Sequence, residues 1–291
     1  MKYSYYPGCS LKGTGKAFEE SILPVFKALG AELAELPEWN CCGATAYMSV
    51  DEIKAAALAG RNLALAEKAG ADLVAPCAAC YLVLTKTQKR MEEYPTVRQA
   101  VCQALSKNGL SYAGKVKVRH PLDVLANDIG TDAIAKKVVK PLKGLKVAPY
   151  YGCQIVRPYA EFDSQDNPQT MDNLLKAAGA EVVDYPLKTK CCGASLTGTL
   201  PEVGVSLVHA LLREARRRGA DVIATVCPLC QFNLDCFQDK VARKFEKANI
   251  PVVYLTQLLG LALGLPFKEL GLHRGVIPIE PVLAQRGIAR G

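Results

Sequence analysis

Adjacent cysteines followed by Gly-Ala occur twice in this chain and constrain it more than any other feature. Cys41-Cys42-Gly43-Ala44 returns as Cys191-Cys192-Gly193-Ala194, 150 positions later. Each pair is preceded by one cysteine and is followed, after 34 residues, by a C-x-x-C motif. Ten of the twelve cysteines therefore obey one duplicated template. The ten are Cys9, Cys41, Cys42, Cys77, Cys80, Cys153, Cys191, Cys192, Cys227 and Cys230.

Other short segments repeat in the same order, which predicts an internal duplication. Tyr5-Tyr6-Pro7-Gly8-Cys9 matches Tyr150-Tyr151-Gly152-Cys153, and residues 118–125 match residues 252–259 more loosely. The 291 residues suffice for two domains of about 145 residues that each bury a core. The predicted N-terminal and C-terminal cysteine-rich domains cover residues 1–143 and 144–291.

Short apolar strands alternate with amphipathic helices in both halves. Ser49 and Glu52 predict a capping box at the start of a long helix that ends at Gly70. The alternation predicts an α/β fold with two pseudo-twofold-related Rossmann-like domains and parallel sheets. Because the template cysteines follow strands, we expect their thiols to converge at the carboxyl end of each sheet. The predicted strands cover residues 2–6, 32–36, 73–75, 146–150, 181–185 and 222–226.

Five converging thiols in each half exceed what a simple metal site needs. A zinc ion takes four ligands, and a cubane [4Fe-4S] cluster takes one thiolate at each of four irons. Side chains of neighbouring residues diverge, so Cys41 and Cys42 suit different irons of one cluster, or one of the two is a buried packing residue. Gly43 and Gly193 are expected to supply left-handed backbone beside a bulky group, or a simple tight turn.

The two cysteine-rich units resemble the duplicated CCG domain in the B subunit of heterodisulfide reductase. The stretch Tyr6–Lys16 is more similar to bacterial members of this family than to those of methanogens. The resemblance implies two non-cubane [4Fe-4S] clusters as cofactors, each held by five cysteines, and leaves zinc in one half as the alternative. The implied ligands of the first cluster are Cys9, Cys41, Cys42, Cys77 and Cys80. Those of the second are Cys153, Cys191, Cys192, Cys227 and Cys230.

The same resemblance implies an enzyme function, that of the iron-sulfur catalytic subunit of a heterodisulfide reductase-like complex. In methanogens the substrate is the mixed disulfide of coenzyme M and coenzyme B, and two facing one-electron clusters would reduce or form such a disulfide in two steps. The implied partners are the ferredoxin-like iron-sulfur subunit and the flavin subunit of such a complex, with a small anionic thiol or disulfide as substrate. The alternative is an electron-transfer or docking subunit of a bacterial oxidoreductase complex without a disulfide substrate.

Charge and hydropathy argue against several other classes. The net charge is +8, but its densest run, Arg213–Arg218, precedes Gly219, where positive side chains complement a helix C-terminus. No aromatic platform accompanies this charge, so we expect no nucleic acid. The longest apolar stretch, Val252–Phe267, is interrupted by polar residues and is too short for a membrane span. The opening residues read as a strand rather than a signal segment, so we expect a cytoplasmic protein without a disulfide framework.

Several residues outside the template receive weaker predictions. Cys102 and Cys236 are expected to be buried core cysteines on helices. The histidines form no metal-spaced pair, and only His120 is predicted to face a cleft. Four lysines flank the template cysteines and either attract an anion or remain solvated. They are Lys12, Lys16, Lys188 and Lys190. The tail 271–291 is expected to be an arm on a partner or a disordered segment.

Overall fold

Two separate four-stranded sheets, parallel throughout, form the framework of the computed structural model, which describes residues 1–44 and 46–288. The first contains β1 (Lys2–Tyr5), β2 (Glu32–Glu35), β3 (Leu73–Val74) and β4 (Val118–Arg119) in the order β2-β1-β3-β4. The second contains β5 (Lys146–Tyr150), β6 (Glu181–Val182), β7 (Val222–Thr225) and β8 (Val252–Tyr254) in the order β6-β5-β7-β8. The predicted α/β class and the paired Rossmann-like sheets are confirmed.

Helices cover both sheets. Those of the first half are α1 (Gly8–Leu11), α2 (Lys16–Ala28), α3 (Ala46–Val50), α4 (Glu52–Ala69), α5 (Ala78–Glu93), α6 (Pro95–Ser106), α7 (Pro121–Asp123), a π-helix (Val124–Gly130) and α8 (Thr131–Lys137). Those of the second half are α9 (Thr170–Ala177), α10 (Leu196–Thr199), α11 (Pro201–Arg217), α12 (Pro228–Cys236), α13 (Gln238–Lys244), α14 (Leu255–Ala262), a 3-10 helix (Leu272–Arg274) and α15 (Glu280–Gln285).

Local signals explain where the long helices begin and end. Helix α4 is capped by Asp51, whose carboxylate accepts the Lys54 N–H at 3.0 Å, and it ends at the left-handed Gly70. The predicted capping box at Ser49 is therefore wrong, because Ser49 lies inside the short helix α3. Helix α11 ends at Arg217, so the positive run lies at a helix C-terminus as predicted, with Arg217 bound to Glu214 at 2.7 Å.

The two halves interlock through equivalent helices. Helix α14, which follows the fourth strand of the second half, packs on α2 of the first half. Helices α7 and α8, which follow the fourth strand of the first half, pack on α9 of the second. Between α2 and α14, the Ser21 and Thr256 hydroxyls form a buried hydrogen bond of 2.6 Å. Each half thus contributes a helix to the core of the other, around a pseudo-twofold axis.

The C-terminal segment is folded back on the chain. Asp235 accepts the N–H groups of Val276 and Ile277 at 2.8 and 3.1 Å, and Leu283 is fully buried. Arg274 makes a two-pronged ion pair with Glu20 of the first half at 2.6 and 2.7 Å. The predicted arm or disordered tail is therefore wrong for residues 271–288, because backbone hydrogen bonds and buried apolar side chains hold a segment without a helical sequence period. Residues 289–291 lie outside the described residues.

The first sheet uses strands from residues 2–119 and the second uses strands from residues 146–254. The domain boundary between residues 143 and 144 lies between them and stays a prediction. In the described part of the chain, no helix is long and apolar enough to cross a bilayer.

Candidate metal centres

The five template sulfurs of the first half form a continuous row at the carboxyl end of the sheet. Cys9 contacts Cys41, and Cys41 contacts Cys42. The Cys42 and Cys80 sulfurs lie 3.1 Å apart, and Cys80 hydrogen-bonds to Cys77. The predicted convergence of these cysteines is therefore present in the structure.

The second half repeats this row in the same order. Cys153 hydrogen-bonds to Cys191, which contacts Cys192. Cys192 contacts Cys230, and Cys230 contacts Cys227. All ten template sulfurs thus lie in two equivalent rows, including both members of each adjacent pair.

The two rows meet at their inner ends. Cys77 and Cys227 approach each other across the halves closely enough that each shifts the pKa of the other, and both are buried. We call this contact between Cys77 and Cys227 the seam. At the outer ends, Cys9, Cys41 and Cys191 are exposed. The sulfurs therefore form one line with a buried centre and exposed ends.

The C-x-x-C motifs occupy helix N-termini. Cys77 is the N-cap of α5 and Cys227 is the N-cap of α12, and their carbonyls accept the first helical hydrogen bonds at 2.8 and 3.0 Å. The amide groups and the positive dipole end of a helix N-terminus favour a thiolate over a thiol. The placement of each motif directly after a strand therefore fixes the position of its sulfurs, while the pKa is lowered at Cys77 and raised at Cys227.

The glycines after the adjacent cysteines have left-handed backbone. Gly43 has φ 80° and Gly193 has φ 93°, and their N–H groups point at the sulfurs of Cys41 and Cys191 at 3.5 and 3.3 Å. A residue with a side chain is strained at such φ values. The glycines thus turn the loop so that a backbone amide faces each outer sulfur, as one of the two sequence interpretations predicted.

A second pair of glycines leaves space beside the inner sulfurs. A Cβ atom added to Gly8 would lie 3.1 Å from the Cys80 sulfur, and one added to Gly152 would lie 3.0 Å from the Cys230 sulfur. Both glycines also have positive φ. Sequence reasoning did not assign these residues, although both directly precede a template cysteine. They form a cradle that any side chain would fill.

Two tyrosines hold the loops that carry the adjacent cysteines. The Tyr6 hydroxyl donates to the Asn40 carbonyl at 2.8 Å, and the Tyr150 hydroxyl donates to the Lys190 carbonyl at 2.7 Å. Each carbonyl belongs to the residue directly before a Cys-Cys pair. The sequence analysis did not predict this role. The signal for it is a tyrosine three residues before the first template cysteine of each half.

Neighbouring sulfurs shift each other's pKa along the rows. Hydrogen bonding between Cys42 and Cys80 lowers the pKa of Cys42 to about 7 and raises that of Cys80 well above its ordinary value. The neighbouring sulfurs of Cys227 and Cys80 hold the pKa of Cys77 well below its ordinary value. Those of Cys153 and Cys192 lower the pKa of Cys191 to about 2, while Cys191 in turn raises the pKa of Cys192 to about 11. The thiolate form is therefore favoured at Cys42, Cys77 and Cys191 and not at every cysteine of the template.

The arrangement differs from a mononuclear metal site. Among residues 1–44 and 46–288, no three or more His, Cys, Asp or Glu side chains are placed to hold a single metal ion. Five soft sulfur donors in each half, with a glycine cradle beside them, fit a group with several irons better than zinc.

The lysines near the template cysteines differ in their surroundings. Lys12 binds Glu19 and Glu35 at 2.8 Å each. Lys188 is buried and donates to the Pro168 carbonyl at 2.5 Å and to Asp172 at 3.3 Å. These two lysines are thus engaged by other protein groups. Lys16 and Lys190 are exposed.

Three further predictions are corrected. His120 faces no cleft: it is fully buried, and its Nε2 lies 3.0 Å from the Pro76 carbonyl. Cys236 is exposed and Cys102 is half-buried, so neither is the buried core cysteine that was expected. Cys236 is the last residue of α12 and Cys102 lies on α6. Neither position could be assigned to the inner face of its helix from sequence alone.

Two parallel sheets that each present five sulfurs at their carboxyl ends define a protein with a duplicated cysteine-rich domain. The family model described as "CCG: Cysteine-rich domain" matches residues 3–85 and 147–235. The chain belongs to the family of the heterodisulfide reductase B subunit, and it carries the cysteine-rich CCG domain twice.

Relatives match over nearly the whole chain. A Wolinella succinogenes protein named "8-methylmenaquinol:fumarate reductase membrane anchor subunit" is 35% identical, over 95% of this chain and 97% of its own length. An Archaeoglobus profundus protein, named as being like the B subunit of heterodisulfide reductase, is 34% identical over 94% of both chains. The B subunit of a "Ferredoxin/F(420)H(2)-dependent CoB-CoM heterodisulfide reductase" of Methanosarcina acetivorans is 33% identical, over 98% of this chain and 96% of its own length.

A solved structure supports the fold. The crystal structure of a hypothetical protein from Helicobacter pylori superposes with a TM-score of 0.77 at 15% identity. The match covers 95% of this chain and 52% of the solved chain. It shows the shared architecture of paired α/β domains.

Proposed function

We propose that this chain is the iron-sulfur catalytic subunit of a heterodisulfide reductase-like complex, in which it reduces or forms a disulfide. The observation that carries the proposal is the pair of equivalent sulfur rows that meet at the seam. Cleaving one disulfide bond to two thiols takes two electrons and two protons. Two one-electron centres side by side match this requirement, and the names of three relatives point to the same reaction class.

The proposed cofactors are two non-cubane [4Fe-4S] clusters, which supply one-electron redox chemistry when bound. The first takes Cys9, Cys41, Cys42, Cys77 and Cys80, and the second takes Cys153, Cys191, Cys192, Cys227 and Cys230. The helix N-termini at Cys77 and Cys227 would stabilise both residues as thiolates once a cluster is bound. The amides of Gly43 and Gly193 donate towards the outer thiolates. The buried inner cysteines keep water from the seam.

The proposed partners follow from the exposed ends of the rows. Cys9 and Cys41 at one end and Cys191 at the other are exposed, so a partner protein can approach either centre. We assign electron delivery to a ferredoxin-like iron-sulfur subunit that is fed by a flavin subunit, since this sequence has no nucleotide fingerprint of its own. The proposed substrate is a small anionic thiol or disulfide, which the net charge of +8 and the exposed Lys190 favour.

A second candidate is an electron-transfer or docking subunit without a disulfide substrate. The observation that favours it is the relative at 35% identity, which is named as a subunit of a quinol:fumarate reductase. Both candidates require intact centres. They differ in whether a disulfide is converted at the seam.

Metal analysis of the anaerobically purified chain tests the cofactors. We expect about eight irons and no zinc per chain, with Cys42→Ala and Cys192→Ala each losing iron from one centre. Cys236→Ala, outside the rows, is the matched control and should keep the full iron content. Four irons with one zinc would contradict the two-cluster assignment.

Activity separates the two candidate functions. The loaded chain, reduced by a viologen dye, should convert the coenzyme M and coenzyme B disulfide or another small anionic disulfide to thiols. We expect this activity to be lost in Cys42→Ala and kept in Cys236→Ala. A fully loaded chain that exchanges electrons with the dye but leaves every disulfide intact would favour the electron-transfer subunit.

A further inference from the structure

His120 and Tyr254 occupy the same place in the two halves. In each half, the residue three positions before the first cysteine of the C-x-x-C motif pairs with a residue of the fourth strand. Val74 pairs with Arg119 in the first half, and Ala224 pairs with Val253 in the second. His120 and Tyr254 follow directly, and each is the extended N-cap of the next helix, with φ −90° and −80°. The duplication therefore places an imidazole in the first half where the second half has a phenol.

Both side chains are buried beside the seam. His120 is 0% exposed and Tyr254 is 1% exposed. His120 Nε2 lies 3.0 Å from the carbonyl of Pro76, which directly precedes Cys77, and its ring also lies near the backbone of Val226, which directly precedes Cys227. Its Nδ1 accepts the Leu122 N–H at 3.1 Å, which leaves Nε2 to donate. One imidazole thus ties together the two loops that meet at the seam.

Tyr254 has no such backbone partners. Its ring stacks on Phe18 of the other half, with centroids 4.4 Å apart and an interplanar angle of 8°. Its hydroxyl is buried without a hydrogen-bond partner among the residues that the structure describes. Burial raises the pKa of Tyr254, and the adjacent Cys227, Cys77 and Cys230 raise it further, so the hydroxyl keeps its proton. A buried donor without an acceptor is costly. The hydroxyl forms no hydrogen bond to a sulfur in the described part of the chain, and the sulfurs of Cys227, Cys77 and Cys230 are close enough for their charges to act on it.

We propose that the Tyr254 hydroxyl donates a hydrogen bond to a sulfur at the seam, and that it makes the second iron-sulfur centre easier to reduce than the first. His120, at the equivalent place, is a positioning residue that braces the two C-x-x-C loops through their carbonyls. This inference rests on the proposed function, because it requires a centre on each side of the seam. Tyr254 pairs in the sheet with Thr225, two residues before Cys227, which places it beside the loop of the second centre.

The physical reason lies in the charge of the reduced centre. A hydrogen bond to a ligand sulfur stabilises the additional negative charge that reduction brings, so it raises the reduction potential. His120 donates to carbonyl oxygens instead and leaves the sulfur charge unchanged. Two otherwise equivalent centres thereby acquire different potentials. Electrons would settle first on the centre beside Tyr254.

A redox titration followed by electron paramagnetic resonance tests this inference on the full chain, loaded anaerobically. The variant Tyr254→Phe keeps the ring that stacks on Phe18 and removes only the hydroxyl. We expect an unchanged iron content, a lower potential of one centre and a smaller separation between the two centres. The matched control is Tyr185→Phe, which removes a buried hydroxyl that donates to the Leu211 carbonyl at 2.9 Å and should leave both potentials unchanged.

A measurement on the wild-type chain supports the test without a variant. Loading in heavy water should remove one strongly coupled exchangeable proton from the electron-nuclear double resonance spectrum of one centre. Tyr254→Phe should lack this proton. The inference would be overturned, and the proposed function left standing, if Tyr254→Phe kept its full iron content and both reduction potentials. An equal shift of the potential in Tyr185→Phe would have the same meaning. A wild-type chain that holds no iron-sulfur centre would overturn the proposed function, and the inference with it.

Discussion

The two halves repeat the geometry of the sulfurs but not the side chains that hold it. In the first half Asn62 of α4 holds the loop before the cysteine pair, accepting the Asn40 N–H at 3.0 Å and donating to the Asn40 carbonyl at 2.9 Å. In the second half Asn233 of α12 holds the loop after the pair, donating to the Ala194 carbonyl at 2.9 Å and towards the Cys192 sulfur at 3.5 Å. The backbone of the sulfur loops is therefore the constrained feature, and different asparagines can satisfy it.

This comparison gives a criterion for which residues the centres need. Features present in both halves should serve both centres in the same way. They include the cysteines, the cradle glycines and the tyrosines Tyr6 and Tyr150. Features present in one half, such as Asn62 or Asn233, should affect one centre only. Substitutions can therefore be made in matched pairs across the duplication.

The largest effect is expected from the cradle glycines. Gly8→Ala and Gly152→Ala place a methyl group against the sulfurs of Cys80 and Cys230, at 3.1 and 3.0 Å. Each should lose the iron of its own half, about four of eight atoms per chain. Iron analysis and the absorption spectrum of the purified variants measure this loss.

Two other glycines provide the controls for backbone strain. Gly109 and Gly219 have φ 67° and 73°, close to the 63° and 74° of Gly8 and Gly152, and an added Cβ would meet no described atom within 4 Å. Gly109→Ala and Gly219→Ala should cost about 1 kcal/mol of unfolding free energy and keep all the iron. Equal iron in the cradle and control variants would show that the cradle has no role.

A smaller and one-sided effect is expected from the asparagines. Asn62→Ala removes the side-chain acceptor of the Asn40 N–H, and Asn233→Ala removes the donor to the Cys192 and Ala194 carbonyls. Each should lower the free energy of unfolding by about 1–3 kcal/mol. Denaturant unfolding measures this change, and electron paramagnetic resonance shows which centre is perturbed. The exposed Asn108→Ala is the control, with an expected change below about 0.5 kcal/mol. If Asn62→Ala and Asn233→Ala perturbed the same centre, the expectation that each asparagine affects only the centre of its own half would be wrong.

The contact between the halves can be tested by a double-mutant cycle. Ser21→Ala or Thr256→Val leaves the other hydroxyl buried without its 2.6 Å partner, and each should cost about 1–2 kcal/mol. The double variant should cost less than the sum of the two, because it leaves no unpaired hydroxyl. Urea unfolding of the four proteins supplies the coupling energy. Strict additivity would mean that this hydrogen bond does not join the halves in solution.

The smallest effect is expected outside the template. Cys102→Ser and Cys236→Ser alter cysteines that are half-buried and exposed, so iron content should stay unchanged and stability should change by less than about 0.5 kcal/mol for the exposed site. Loss of iron from either variant would mean that the ten-cysteine template is incomplete.

Local sequence signals sufficed for six of the eight strands, the parallel sheets and the convergence of the ten cysteines, because periodicity and loop spacing act over short distances. The contact between Cys77 and Cys227 could not be predicted from local sequence signals, since it depends on how the two sheets dock. The burial of His120 has the same origin, whereas Lys188 is buried against Pro168 and Asp172 of its own half. The helix cap at Asp51 was missed because an additional short helix precedes it. The ligand assignment, the domain boundary and the cytoplasmic location stay predictions.

The reciprocal packing of α2 with α14 and of α9 with α7 and α8 has the symmetry of a homodimer, although it lies within one polypeptide. In a homodimer, every substitution appears twice, and an improvement at one site is also imposed on its copy. Joining the copies in one gene removes that restriction, so histidine can stand at position 120 while tyrosine stands at position 254. Fusion thus lets the two copies of one site carry different residues, while their helices still pack against each other.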